Sequence, residues 1–130
     1  NSNLLCWVNK DVTQFLVYQY AEQLSDVFWE EYDRWPKKVQ MTIGLQIIRA
    51  ADSISANIAE GFGRFHYRDR LRFYYCARGS FEESKTFARK LIRRKVLAEK
   101  EVEQVTRLVT QIGPLLNAFI NRARKSGGDT

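Results

Sequence analysis

Histidine is almost missing from this 130-residue chain: there is one, His66. A lone imidazole beside a Gly-Phe-Gly turn has no second histidine, and no Cys or carboxylate set at ligand spacing, with which to hold a metal. The Glu-x-x-His pairs of di-iron helical bundles are also missing. Ser53 and Ser80 have no histidine placed to suggest a base. Gly61-Phe62-Gly63 lacks the third glycine and the preceding strand of a dinucleotide loop, and is expected to stop a helix instead. Cysteine is nearly as scarce, with Cys6 and Cys76 only. Two cysteines are too few for a disulfide framework and suit a reducing cytoplasm. Cys76, set among aromatics at helical spacing, reads as a small buried hydrophobe. Seven glycines and two prolines are too few for a many-turned β-sandwich. No apolar run approaches the roughly 20 residues that span a bilayer, and no signal-peptide pattern is read. The expectation is a cytoplasmic protein away from membranes, without metal or cofactor, and not an enzyme.

What the chain does have is helical periodicity. Val17, Tyr20, Leu24 and Val27 recur at three- and four-residue steps. Met41, Leu45, Ile48, Ala51 and Ile58 form a second stripe, with Ile43, Ile47, Ala50 and Ile54 beside it. Leu71, Tyr74, Phe81, Ala88 and Leu91 mark a third. Val102, Val105, Val109, Ile112, Leu116, Phe119 and Ala123 form a heptad-like fourth, interrupted by Pro114, which is expected to kink its helix. The periodicity predicts helices over about 12–33, 36–60, 67–95 and 99–124, with a frayed tail at 126–130. Short connections then favour one all-α domain, an antiparallel up-and-down four-helix bundle.

Charge is uneven. The net charge is +6, yet residues 1–63 carry five basic against eight acidic side chains, and residues 64–95 carry eleven basic against three acidic. A concentrated basic segment points to a polyanionic partner. Arg64, Arg68, Arg72, Arg89, Lys90, Arg93 and Arg94, with Arg122, Arg124 and Lys125 on the last helix, are the candidate nucleic-acid contacts, because guanidinium forks match phosphate geometry. Phe65, Tyr67 and Tyr75 lie near the start of that face and can stack on unpaired bases. The alternative is a protein-interaction scaffold whose basic face meets an acidic partner.

Two further patterns need an assignment. Phe73, Cys76 and Phe87 give the third helix a second apolar flank, more than one bundle seam uses, and predict a subunit interface. Ser53, Asn57, Glu60 and Arg64 share one face, as do Arg72, Gly79 and Glu83 on the next helix. Ser53, Asn57, Glu60, Arg72 and Glu83 are therefore expected to form a polar network between helices or subunits.

The run from Gln46 through Arg49-Ala50-Ala51-Asp52-Ser53 and Ala56-Asn57-Ile58-Ala59-Glu60-Gly61-Phe62-Gly63-Arg64 resembles the signature of the four-helix-bundle proteins encoded by 23S rRNA intervening sequences. Val17-Tyr18-Gln19, Arg72-Phe73 and Ala77-Arg78-Gly79-Ser80 with Glu83 are similar to that family too, and the likeness covers about residues 12–120. The resemblance implies a cytoplasmic homopentameric ring with a basic surface and brings no catalytic residues. The same superfamily includes the accessory variability determinant of diversity-generating retroelements, which implies RNA or DNA, and a reverse transcriptase, as partners. The chain departs from the family in having Ile48 where a second basic residue is usual, and in having Pro114.

Overall fold

The computed structural model describes residues 11–128. A 3₁₀ turn, Asp11–Gln14, leads into α1, Leu16–Tyr32. Helix α2 covers residues 37–62 and changes winding on the way: Lys37–Val39 is α-helical, Gln40–Gly44 is π-helical and Leu45–Phe62 is α-helical again. Helices α3, Tyr67–Arg93, and α4, Glu99–Gly128, complete the chain. Among the described residues there is no strand, and no helix is long and apolar enough to cross a membrane. Packing runs α1 on α2, α2 on α3, α3 on α4 and α4 back on α1. With short connections throughout, this is an up-and-down four-helix bundle.

Helix polarity is supported by charge. Asp69 sits in the first turn of α3 and Glu99 and Glu101 in that of α4, while Lys90 and Arg93 lie in the last turn of α3. Each favours its end of the helix dipole. Beyond Arg93, Lys95 adopts a left-handed φ of 57°. The amides of Lys95 and Val96 reach back to the carbonyls of Ile92 and Leu91, a Schellman stop made with a lysine where glycine is favoured.

The core is aliphatic and closely approached. Ala21, Phe28, Ile47, Ala51, Ile54, Ile58, Ala77, Leu91, Leu108 and Ile112 have no accessible surface. Alanine at three of these positions lets the helices come near one another. The α1–α2 seam also carries polar ties: Ser25 Oγ donates to Asp52 Oδ1, and Ser55 Oγ donates to Glu22 Oε2 at 2.8 Å. Buried hydroxyls bonded in this way avoid the cost of an unpaired donor.

Several sequence expectations are corrected. Met41 and Leu45, placed on the core stripe of α2, are exposed, because at about 100° per residue they lie across the helix from Ile43, Ile47, Ala50, Ile54 and Ile58, which form the buried stripe. Helix α2 does not stop at Gly61. Gly61 is buried inside it, and Gly63 caps it with an ordinary right-handed φ of −78°. A Cβ on Gly61 would lie 2.6 Å from Tyr74 Cε1, so the glycine is there to admit the Tyr74 ring. Helix α3 ends at Arg93 rather than 95, and α1 begins at Leu16 behind the 3₁₀ turn. Helix α4 runs through Pro114 and on to Gly128, so residues 126–128 of the expected tail are helical. Its buried set is Val105, Leu108, Ile112, Leu116 and Ile120, with Val109, Phe119 and Ala123 only partly buried. Cys76 is exposed, not buried. Cys6 lies outside the described residues.

Candidate nucleic-acid interface

The antiparallel arrangement sends the start of α1, the end of α2, the start of α3 and the end of α4 to one end of the bundle. There the four helix ends stay apart around a cleft of about 480 Å³. Phe15 comes from the start of α1, Phe62 from the end of α2, Tyr74 and Arg70 from α3, and Phe119 and Arg122 from α4. The connection between α2 and α3 adds Phe65 and His66, and the first residue of α3 adds Tyr67. The rings meet edge to face: Phe15 contacts Phe62 at 5.4 Å and Phe119 at 5.3 Å between centroids, and Tyr74 contacts Phe119 at 4.7 Å. Such pairs add about 0.5–1.5 kcal/mol each beyond their burial. Burial pushes the Tyr74 phenol above its ordinary value, against the pull of the nearby Arg70 guanidinium. Arg70 is anchored by donating from Nε to the Arg64 carbonyl at 2.5 Å.

The opposite end has a cavity of its own, about 490 Å³ between the start of α2 and the α3–α4 connection, lined by Lys38, Val39, Thr42, Arg94, Lys95 and Val96, while its α1–α2 junction is sealed. Trp35, only 4% exposed, sits over the junction of α1 and α2. Tyr32 and Gln40 exchange hydrogen bonds across it: Tyr32 Oη donates to the Gln40 carbonyl at 3.2 Å and Gln40 Nε2 donates to the Tyr32 carbonyl at 2.8 Å.

The predicted cationic residues divide between these two ends. Arg64, Arg68 and Arg72 lie at the open end, as do Arg122, Arg124 and Lys125 on the antiparallel α4. Arg89, Lys90, Arg93 and Arg94 lie at the Trp35 end. On a rise of about 1.5 Å per residue, Arg72 and Arg89 are roughly 25 Å apart along α3, so the basic face is two clusters rather than one patch. Between them Arg78 lies over Tyr75 at 5.1 Å, and Lys85 pairs with Glu82 at 2.7 Å.

Rings carry the arginines at the open end. Arg64 and Arg72 stack on Phe73 at 4.7 and 4.9 Å, and Arg68 lies 6.0 Å from the Tyr67 centroid. Among the described residues no carboxylate pairs with Arg68, Arg72, Arg89, Arg93, Arg94, Arg122 or Arg124. A guanidinium laid on a ring keeps its charge and its outward donors, which an ion pair would consume.

The polar residues predicted to bridge helices mostly stay on their own. Asn57 Nδ2 donates to the Ser53 carbonyl one turn back, and Glu60 pairs with Arg64 on the surface. Ser53 and Glu83 line a shallow pocket between α2 and α3, yet no hydrogen bond joins them among the described residues. One-turn spacing lets these side chains satisfy themselves locally. The ties that do cross helices, Ser25–Asp52 and Ser55–Glu22, join α1 to α2 instead. Phe73 and Phe87 are partly buried on the flank assigned to a subunit interface, and the exposed large apolar side chains Leu16, Trp29, Met41 and Leu45 lie on α1 and α2. Helical periodicity alone gives Arg70, Phe62 and Phe119 no role in a site. Each comes from a different helix, and no sequence spacing signals that they meet.

Comparison with known proteins agrees with the architecture. A solved protein of unknown function from the S23 ribosomal protein family of Bacteroides thetaiotaomicron superposes with a TM-score of 0.73 at 21% identity, covering 82% of this chain and 96% of its own. No curated protein matches the chain. The family model described as 23S rRNA-intervening sequence protein matches residues 13–118. With that match spanning all four helices, the chain belongs to the 23S rRNA-intervening sequence protein family.

Proposed function

We propose that the protein is a non-enzymatic, self-assembling nucleic-acid accessory protein of the cytoplasm. It serves either in the manner of the rRNA intervening-sequence proteins or by assisting a retroelement reverse transcriptase and its template RNA. The observation that carries this reading is the set of arginines at both ends without a carboxylate partner among the described residues, two of them, Arg68 and Arg72, held on rings. Folding alone has no use for so much uncompensated charge, whereas a phosphate backbone neutralises it.

Assembly is the second part. A ring needs two different patches, one on each side of the subunit. Trp29, 68% exposed, with Met41 and Leu45 supplies one on α1 and α2, and the α3 flank of Cys76 and Phe87, beyond the arginine-covered Phe73, supplies the other. A homopentamer is the expected product. Light scattering at micromolar concentration is expected to give about five times the 15.3 kDa chain mass; a 15.3 kDa particle would overturn it.

The functional test changes Arg68 and Arg72, Arg89 and Arg93, or all four to Gln. Each pair is expected to lower RNA and DNA affinity and to flatten the salt dependence by about 0.7–0.9 per lost phosphate contact. Binding and salt slope unchanged in the quadruple variant would leave the arginines as a solvated face. The better reading would then be a scaffold for an acidic protein or a polymerase.

A further inference from the structure

We propose that the cleft at the open end receives a single unstacked nucleobase together with its phosphate, so that the protein distinguishes single-stranded nucleic acid from duplex. The proposal rests on the nucleic-acid reading above and adds the strand state that this reading leaves open.

The walls of the cleft are rings. Phe62 and Phe119 line its interior, and Phe65 and Tyr67 stand at the α2–α3 connection. Phe65 is 89% exposed, an unusual position for a phenylalanine whose only ring neighbour among the described residues is His66 at 5.2 Å. A flat apolar ring in solvent gains by being covered, and every nucleobase offers a π face that covers it. A base inside a duplex is already covered on both faces, so only an unstacked base can respond.

The charges fit the rest of a nucleotide. Arg70 and Arg122 line the cleft, and among the described residues no carboxylate does. Arg70 is fixed through Nε, which directs its two terminal nitrogens as a pair, the geometry that grips phosphate oxygens. The cavity volume falls within the range of about 300–1,000 Å³ typical of small-ligand sites. Outside it, Arg68 and the Arg64–Phe73–Arg72 stack continue the cationic track at the same end of the bundle, where a strand leaving the cleft meets further phosphate contacts. A purely apolar guest leaves these arginines unused, and a bare phosphate leaves the rings unused. A base carrying a phosphate uses both.

The experiment measures fluorescence anisotropy of the full chain with a labelled oligouridylate, an abasic strand of the same length and a blunt duplex, with uridine monophosphate as competitor. The parent is expected to prefer the oligouridylate over the abasic strand by about 5- to 150-fold, the range that stacking of one base supplies. Phe65→Ala, at an exposed position, is expected to abolish most of that preference and to leave abasic binding unchanged. Arg122→Gln is expected to weaken binding of uridine monophosphate and of oligouridylate alike. Competition by the monophosphate as strong as by the strand would identify a free nucleotide as the natural guest of the same pocket. Equal binding of normal and abasic strands by the parent, or an unchanged preference in Phe65→Ala, would overturn the pocket while leaving the basic clusters in place. If no strand or duplex binds even at low salt, it is the nucleic-acid reading that fails.

Discussion

At one end of the bundle Trp35 is sealed beneath the α1–α2 junction and the Tyr32–Gln40 bonds lock it there. At the other, Phe65 stands in solvent above a ring-lined cleft. Both ends hold aromatic side chains and both carry a cationic cluster. They differ in how the connection is made. The α1–α2 link is short and rewinds at once into a π-helical turn, which draws Gly44 to within contact of Tyr32 and Trp35. The α2–α3 link ends on Gly63 and leaves Phe65 and His66 outside both helices. Where the link turns inward the rings become core; where it stays outside they become a surface that a ligand can use.

The comparison breaks most visibly at Trp35. Trp35→Ala is expected to cost about 3–5 kcal/mol in chemical denaturation, as for other large buried rings. Trp35→Phe sharpens the point. Trp35 Nε1 is buried without a hydrogen-bond partner among the described residues, so losing it removes no bond, and the change is expected to cost less than Trp35→Ala, the loss being only that of the smaller ring's packing.

The glycines come next, one at each end. A Cβ on Gly44 would lie 2.8 Å from the Val39 carbonyl oxygen, and one on Gly61 would lie 2.6 Å from Tyr74 Cε1 and 3.0 Å from the Arg70 carbonyl oxygen. Alanine gains up to about 1 kcal/mol of helix propensity over glycine, while overpacking costs about 1–3 kcal/mol. With the full propensity gain a net loss of up to about 2 kcal/mol is expected for each, read from the shift in denaturation midpoint. An increase in stability for Gly61→Ala would mean that the Tyr74 ring moves aside freely and the open end is loosely built.

Lys95→Gly has the opposite sign. Its left-handed backbone is uncomfortable for a lysine, and glycine there is expected to raise stability by up to about 1 kcal/mol at the Trp35 end. Phe65→Ala at the open end is expected to change stability by less than about 0.5 kcal/mol, as for other exposed positions. A loss comparable to that of Trp35→Ala would show that Phe65 is structural and erase the contrast between the ends.

The smallest effect lies between the ends, in the acidic half. Burial, followed by the charges of Glu22, Glu30 and Asp52, raises the Asp26 carboxyl above its ordinary value of 3.8. A raised folded value means that the protonated form is favoured in the native state. Ionised Asp26 therefore destabilises the fold above that raised value, and the penalty fades as pH falls through it towards 3.8. Asp26→Asn is expected to be slightly more stable than the parent at neutral pH, with the difference vanishing in acid. A pH-independent difference would assign the effect to something other than charge.

Much of this architecture is written in the side-chain order. Helical periodicity specified four helices and most of their buried stripes, from Val17 and Leu24 to Tyr74, Phe81 and Leu91. The segregation of charge into residues 64–95 marked the segment where the arginines without carboxylate partners lie. Periodicity describes each helix against its own axis, and there its authority ends. The heptad seam read for α4 averages 3.5 residues per turn, so it drifts around a straight helix, whereas the buried residues Val105, Leu108, Ile112, Leu116 and Ile120 follow a longer repeat. Two apolar stripes were legible on α2, and only packing decided that Ile43, Ile47, Ala50 and Ile54 enter the core while Met41 and Leu45 stay outside. How far along α3 each arginine lies was also legible, but its neighbours on the other helices were not. Only the antiparallel packing put Arg122 beside Arg70 and gathered Phe15, Phe62 and Phe119 from three helices around one cleft. Sequence spacing governs which side of a helix a residue faces; which turn of a neighbouring helix it meets depends on loop length, helix register and the close approach that glycine and alanine permit, and these exist only once the chain has folded.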